Sequence, residues 1–360
     1  MDERVVHRMY DLTLQSWEDV ARRFAEVPVE FAEDTSGFFR SLRLLTTSHC
    51  VMHCQYPDER VMWCHNEGMA RNGIKPSDMS TMARIVRHCL QRYGITHVTL
   101  AGLQPLLDED LLRFIAAICA MGITKVSFTS HGWGLLPWLE HLRDAGLTDI
   151  TLSVQAFAVG SYQAIMGRDA FANVVTVVDT ARQLGLPVAI NRVILRGHTD
   201  DIPHMLAWVR RDDLRVRLYD VMWQPGHDEY FLKYFISWQE LIDHWEHVVE
   251  RITVWTYTRS GRVNIVFWLS DGGSIETNLP LPPRKADANV CRSCWMAPAC
   301  TEGYLGCGIR ITPDYMMKPC LLRGDMNVPL LPIVERGPSD PLNAALDTVL
   351  LGDWSPDPTV

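Results

Sequence analysis

The chain has 360 residues and carries 34 Lys and Arg against 43 Asp and Glu, a formal net charge of −9 that excludes a broad electrostatic attraction for nucleic acid. It has neither a basic-then-apolar N-terminal signal nor an apolar run near the ~20 residues of a spanning helix. The sequence therefore reads as soluble and cytoplasmic, without a membrane partner, and is long enough for one barrel-sized unit with an appendage.

Residues 1–41 form an N-terminal extension with one predicted helix, about 14–26. From 42 onward, β-rich runs alternate with amphipathic helical stretches: strands at 42–47, 96–102, 125–130, 149–154, 187–195 and 215–223, with helices at 77–93, 108–121, 134–145, 170–184 and 200–211 between them. The joints YGIT, MGIT, AGLTD and LGLP carry the glycines that end helices. Several strands look nearly continuously apolar, as burial on both faces of a parallel sheet requires. The expected fold class is α/β, a partial (β/α)6 barrel over 42–236 with its chemistry at the C-terminal strand ends. A helix near 237–251 and antiparallel strands follow, making a connection over 237–284. A small cysteine-rich hairpin domain over 285–330 and a tail over 331–360 complete the expected organisation.

The ten cysteines do not read as disulfides in a chain without an export signal. Cys89 and Cys119 sit in helical patterns as small hydrophobes. Cys50, Cys54 and Cys64 cluster on the loop after the first barrel strand, and Cys291, Cys294, Cys300, Cys307 and Cys320 cluster near the C-terminus. Three thiols at a barrel mouth suit either a [4Fe–4S] cluster with one open iron or a zinc site completed by His53 or His65.

The strand, the Cys-xxx-Cys pair after it and the phrase CHNEG at 64–68 resemble the radical S-adenosylmethionine (SAM) superfamily, in its branch related to the molybdenum-cofactor cyclase. That family spaces its three cysteines Cys-xxx-Cys-xx-Cys; here nine residues separate Cys54 from Cys64. The longer spacer costs about 1.3 kcal/mol of loop-closure entropy, small beside the order of 10 kcal/mol of a metal site. The resemblance implies that Cys50, Cys54 and Cys64 hold a [4Fe–4S] cluster and that S-adenosyl-L-methionine binds its open iron. Further landmarks follow in order. Gly102-Leu103-Gln104-Pro105 stands where the family has Gly-Gly-Glu-Pro, and Ser130-His131-Gly132 resembles Thr-Asn-Gly. LSVQ at 152–155 resembles Ser-x-Asp, and INRVILRG at 190–197 the fifth-strand segment. By this resemblance Gly102, Gln104, Ser130, Ser153, Gln155, Asn191 and Arg192 are cofactor-binding candidates, although Ser153 and Gln155 also suit plain polar strand ends and one of Asn191 and Arg192 is expected to point at solvent or a helix.

The second cysteine group resembles the auxiliary-cluster domains of Twitch or SPASM type, with Cys291, Cys294, Cys300 and Cys320 as the implied ligands of a second [4Fe–4S] cluster and Cys307 as the spare. A structural zinc ribbon is the alternative. The aromatic stretch after the sixth strand supplies Tyr219, Asp220, Trp223 and His227 as candidate substrate contacts.

The expected activity is reductive cleavage of S-adenosylmethionine to a 5′-deoxyadenosyl radical, with hydrogen abstraction from a small metabolite or a ribosomally made peptide in a biosynthetic pathway. Electrons would come from a donor such as flavodoxin or ferredoxin. Cyclisation of a purine nucleotide is not expected, because the chain ends SPDPTV rather than in a Gly-Gly tail. The rival expectation is a catalytically silent iron–sulfur or zinc-binding relative.

Overall fold

The computed structural model describes residues 22–34, 41–48, 50–54, 76–102, 105, 107–221, 223, 226–257, 262–278, 309–320, 327–337, 339–341 and 343–350. Six parallel strands run in sequence order across its centre: β2 (Ser41–Leu45), β3 (His97–Ala101), β4 (Lys125–Ser130), β5 (Asp149–Ser153), β6 (Val188–Val193) and β7 (Arg215–Tyr219). Helices α1 (Met79–Tyr93), α2 (Glu109–Met121), α3 (Leu139–Ala145), α4 (Val159–Met166), α5 (Phe171–Gln183) and α6 (Ile202–Arg211) connect them. This α/β sheet, helix-covered on one side, is the expected curled half-barrel.

Local chemistry sets the helix limits. Asp78 caps α1 by accepting from Thr81 N–H at 2.8 Å and from the Ser80 hydroxyl at 2.5 Å, bonds that hold its carboxyl down at about 2. Asp108 caps α2 by accepting from Leu111 N–H at 2.9 Å. Gly94, Gly122 and Gly146 end α1, α2 and α3 in the left-handed conformation.

The strands alternate rather than run continuously apolar. Parallel register places Leu42, Val98 and Val126 in one row, with Leu44, Leu100, Phe128 and Ile150 in the next and Leu152 opposite Ser130 beyond them, all buried against the helices. Each such side chain contributes about 1.5–3 kcal/mol by leaving water. The other face carries Arg43, Thr99, Ser127, Asp149, Thr151, Ser153, Asn191 and Arg217. Its apolar members Leu45 and Ala101 form a small cluster of their own, apart from the main core. A half-barrel leaves this inner face unfilled by helices, and polar side chains line it.

The sheet extends further than the barrel strands. The helix expected over 237–251 is instead two short 3-10 segments, Trp238–His244 and Glu246–Val248, followed by β8 (Val249–Tyr257). A Ser237–Glu240 capping box starts the first segment, and Trp238 and Trp245 are buried from it. β8, β9 (Arg262–Leu269) and β10 (Ser274–Asn278) are antiparallel, and β10 pairs in parallel with β7. β1 (Val29–Asp34), absent from the sequence expectation, pairs in parallel with β8.

On the opposite edge, β11 (Ile309–Ile311) and β12 (Met316–Lys318) form the hairpin expected around Pro313-Asp314. β11 pairs in parallel with β2, so the hairpin continues the barrel sheet, and β13 (Val328–Pro329) closes that edge. The segment from 331 holds α8 (Leu331–Arg336) and α9 (Asn343–Leu350), while α7 (Asp228–Tyr234) follows β7. Of the helix expected over about 14–26, residues 14–21 lie outside the described residues, and its last helical positions are Arg22 and Arg23. Among the described residues no helix is long and apolar enough to cross a membrane.

Candidate active site

The C-terminal strand ends converge at the cysteine loop. After β2, Thr46 N–H donates to the Ala101 carbonyl at 3.1 Å and Ser77 N–H to the Thr46 carbonyl at 2.9 Å, which holds the strand exit between its neighbours. Cys50 and Cys54 follow, both half-buried and without a disulfide. Met52 between them is 1% exposed, and its N–H donates to Cys50 Sγ at 3.4 Å. Cys64 lies outside the described residues. Among the described residues no three His, Cys, Asp or Glu side chains gather as a metal site.

Two glycines allow backbones to meet at this loop. Gly102, after β3, has φ +125°, and a Cβ there would stand 2.8 Å from the Thr47 carbonyl oxygen. Gly167, after α4, has φ +67°, and a Cβ there would overlap the His53 carbonyl oxygen at 1.9 Å. The neighbouring Arg168 donates from Nη2 to the Val51 carbonyl at 3.0 Å and stacks over Trp133 at 4.7 Å. Sequence reasoning missed both 167 and 168; the Met-Gly-Arg joint between two helices was the available signal.

The expected cofactor residues divide by face. Asn191 and Ser153 are register partners on the inner face. Asn191 Oδ1 is buried without a hydrogen-bond partner among the described residues. Gln155 Oε1 accepts from Val193 N–H at 2.7 Å, tying the end of β5 to β6. Ser130 faces the helix side in register with Leu152, and its Oγ accepts from Gly132 N–H at 2.9 Å. Arg192 also faces the helices, bonded to Asp201 at 2.5 Å. Gln104 lies outside the described residues. His131 is buried, and its Nδ1 accepts from Trp133 N–H at 3.2 Å. Burial, then the Arg168 charge, pushes the His131 imidazole down to about 4, so it is neutral at pH 7.

Around β7, Tyr219 is on the inner face and Asp220 follows it. Asp220 Oδ1 is buried without a partner among the described residues, and burial, then the nearby Glu240, pushes its carboxyl up to about 7. Trp223 is buried and donates from Nε1 to Asp228 at 2.6 Å, while the His227 carbonyl accepts from Phe231 N–H at 3.0 Å at the start of α7.

Of the second cysteine group, Cys291, Cys294, Cys300 and Cys307 lie outside the described residues; Cys320 is half-buried just past β12. The hairpin tip rests on the start of α1, with the Tyr315 hydroxyl accepting from Asp78 N–H at 2.8 Å. Register then places Arg43, Arg310 and Lys318 side by side on β2, β11 and β12, on the inner face, with Arg310 and Lys318 buried. Sequence reasoning missed this row too. Its signal was a lone cation between apolar neighbours, as in Ile309-Arg310-Ile311.

These residues fit a thiolate-held [4Fe–4S] cluster with bound S-adenosylmethionine. Soft sulfur donors sit after the strand end, Gly102 allows a close backbone approach, and the Asn191 amide oxygen, without a partner among the described residues, offers an acceptor on the inner face.

The sequence pattern of the radical SAM superfamily matches residues 44–209. The chain is 26% identical over 290 residues to the probable GTP 3′,8-cyclase of Methanothermobacter thermautotrophicus, covering 79% of this chain and 85% of that one. It is 31% identical over 213 residues to the GTP 3′,8-cyclase of Synechococcus elongatus, covering 58% and 62%. The solved structure of native anSMEcpe with bound AdoMet and Kp18Cys peptide superposes with a TM-score of 0.52 at 14% identity, covering 87% of this chain and 81% of that one; at that identity the likeness concerns the fold.

Proposed function

Because the chain belongs to the radical SAM superfamily, in the branch of the molybdenum-cofactor cyclase, and is an enzyme using a [4Fe–4S] cluster and S-adenosylmethionine, we propose that it abstracts hydrogen from an anionic small metabolite held in the half-barrel. When bound, the cluster and its cofactor supply one-electron cleavage of the sulfonium to methionine and a 5′-deoxyadenosyl radical, which takes a hydrogen atom from the substrate. Cys50, Cys54 and Cys64 hold the cluster. Asn191, Ser153 and Gln104 would contact the cofactor, and Gly102 lets the Thr47 backbone that leads into the cysteine loop pack against it. Asp220 and Tyr219 meet the substrate from β7; Asp220, its carboxyl pushed up to about 7 by burial, offers it a hydrogen-bond donor when protonated. Cys291, Cys294, Cys300 and Cys320 would hold an auxiliary cluster, and a flavodoxin- or ferredoxin-type donor would supply the electron.

The observation that carries the substrate class is the row of Arg43, Arg310 and Lys318 on the inner face. Adjacent cations there suit phosphate or carboxylate groups better than a neutral peptide backbone. Against the expectation drawn from the sequence, the relatives named GTP 3′,8-cyclase make GTP the first substrate to try. The test is 5′-deoxyadenosine formation by anaerobically reconstituted protein under a strong reductant, with GTP, other nucleotides and peptides offered in turn. A nucleotide that accelerates release, with about tenfold or greater weakening in Arg310→Ala, supports the reading. Acceleration by a neutral peptide alone overturns the substrate class. No 5′-deoxyadenosine under any condition leaves the catalytically silent relative standing.

A further inference from the structure

Nine residues separate Cys54 from Cys64, and the loop that carries the first cysteine pair is gripped from outside. Three contacts do this. Met52 is buried in the main core between the two thiols. The backbone at Gly167 lies so close to His53 that any side chain would overlap its carbonyl oxygen at 1.9 Å and its carbonyl carbon at 2.5 Å. Arg168 donates to the Val51 carbonyl at 3.0 Å, while its guanidinium plane rests on Trp133 at 4.7 Å. Trp133 in turn is tied to His131 through its backbone N–H. The loops after β2 and β4 and the joint between α4 and α5 therefore meet here.

We infer that Gly167 and Arg168 are positioning residues for the cluster-bearing loop, fixing Val51–Cys54 in ligating geometry. In a short-spaced motif the chain between the second and third thiols limits where they can go. Here nine residues separate the second thiol from the third, and the Arg168 guanidinium, with one N–H on the Val51 carbonyl and its Cζ over the Trp133 ring, supplies the restraint. Arg suits the task because it can donate to a carbonyl and stack on an aromatic ring at once, which a lysine ammonium does less well. Outer-sphere groups of this kind typically change metal affinity or activity by about 10–100-fold when removed.

The inference rests on the reading that Cys50 and Cys54 hold the cluster, and the experiment separates the two. Wild type, Cys50→Ser, Arg168→Met and Arg168→Lys are purified, reconstituted anaerobically, and compared by iron and sulfide content, by S-adenosylmethionine affinity, and by the EPR spectrum of the reduced cluster with and without cofactor. Arg168→Met is expected to bind the cofactor about tenfold more weakly and to show an altered cofactor-induced EPR change at unchanged circular dichroism, with partial recovery in Arg168→Lys. A wild-type spectrum and affinity in Arg168→Met overturn the inference. Full cluster content in Cys50→Ser overturns the underlying reading instead. A second measurement needs no variant: amide exchange over 51–54 in the wild-type protein before reconstitution. A gripped loop exchanges about tenfold or more below unstructured-peptide rates, and unstructured rates there overturn the inference even if Arg168→Met fails to fold.

Discussion

Arg192 and Asp201 form a buried ion pair, Nη2 to Oδ1 at 2.5 Å, on the helix side of the sheet. Arg192 also donates to the His198 carbonyl at 3.0 Å, and Asp201 Oδ2 accepts from Phe157 N–H at 2.6 Å, so the pair joins β6, the loop after β5 and the start of α6. Removing one partner would strand a charge in the core. Asp201→Asn is expected to lower the unfolding free energy by about 3–5 kcal/mol. Urea unfolding checks this as a lower midpoint with an unchanged slope, and cofactor affinity should stay unchanged below the new midpoint.

Gly102 is expected to tolerate no side chain. At φ +125° and 2.8 Å from the Thr47 carbonyl oxygen, an alanine must move the strand exit that precedes the cysteine loop. Gly102→Ala should cost about 1–3 kcal/mol of stability and weaken S-adenosylmethionine binding. Thermal unfolding reads the first effect and calorimetric titration of the reconstituted protein the second.

Asp220 makes stability depend on pH in an unusual direction. Its folded carboxyl titrates at about 7, above the ordinary value of 3.8, because burial disfavours the charged form. The unfolded chain therefore loses this proton first as pH rises. The group's contribution is complete below pH ~4 and falls as pH climbs through 7. Asp220→Asn is expected to flatten that decline, read as unfolding midpoints measured from pH 4 to 8. Superimposable profiles for the two proteins would refute it.

The central strands and their helices were legible because their signals are local. Gly94, Gly122 and Gly146 mark helix ends, and Asp78 and Asp108 mark starts. The inner face was harder to see. Short strands such as Ser41–Leu45 add an apolar residue at one end of an alternating pattern and so resemble a buried run. The pairings of β10 with β7 and β11 with β2 join distant segments, and no local pattern encodes them. Hence Arg310 and Lys318 looked like members of a separate hairpin rather than a row continuous with Arg43. The 237–251 stretch has helical spacing, but Trp238 and Trp245 bury from tight 3-10 turns before β8 begins. Arg192 and Asn191 are adjacent in sequence and face opposite ways, as alternation predicts, but the motif alone could not tell which of the two pairs in the core.

The C-terminal helix α9 is fastened to α1. His88 Nε2 lies 2.7 Å from Asn343 Oδ1, both buried, and Arg92 Nε and the Tyr93 hydroxyl donate to Asp347 at 2.8 and 2.9 Å. Burial foremost, together with the Arg92 charge, pulls the His88 imidazole below its ordinary range. This contribution to stability is full above the unfolded value near 6.5 and is lost as pH falls through the lower folded one. Amide exchange in α9 is expected to quicken on acidification, and Asp347→Ala to quicken it at pH 7 as well. Unchanged exchange in the variant would show that the helix is held by other contacts.

The most direct test of the account is the reaction product of the thiolate site. Wild type and Cys64→Ser are reconstituted with iron and sulfide, reduced with a strong one-electron donor in the presence of S-adenosylmethionine, and assayed for 5′-deoxyadenosine. The expected result is a [4Fe–4S] EPR signal and nucleoside release in wild type, with both lost in Cys64→Ser. A wild-type protein that holds only a redox-silent tetrahedral ion, or a Cys64→Ser variant that releases nucleoside at the wild-type rate, would contradict it.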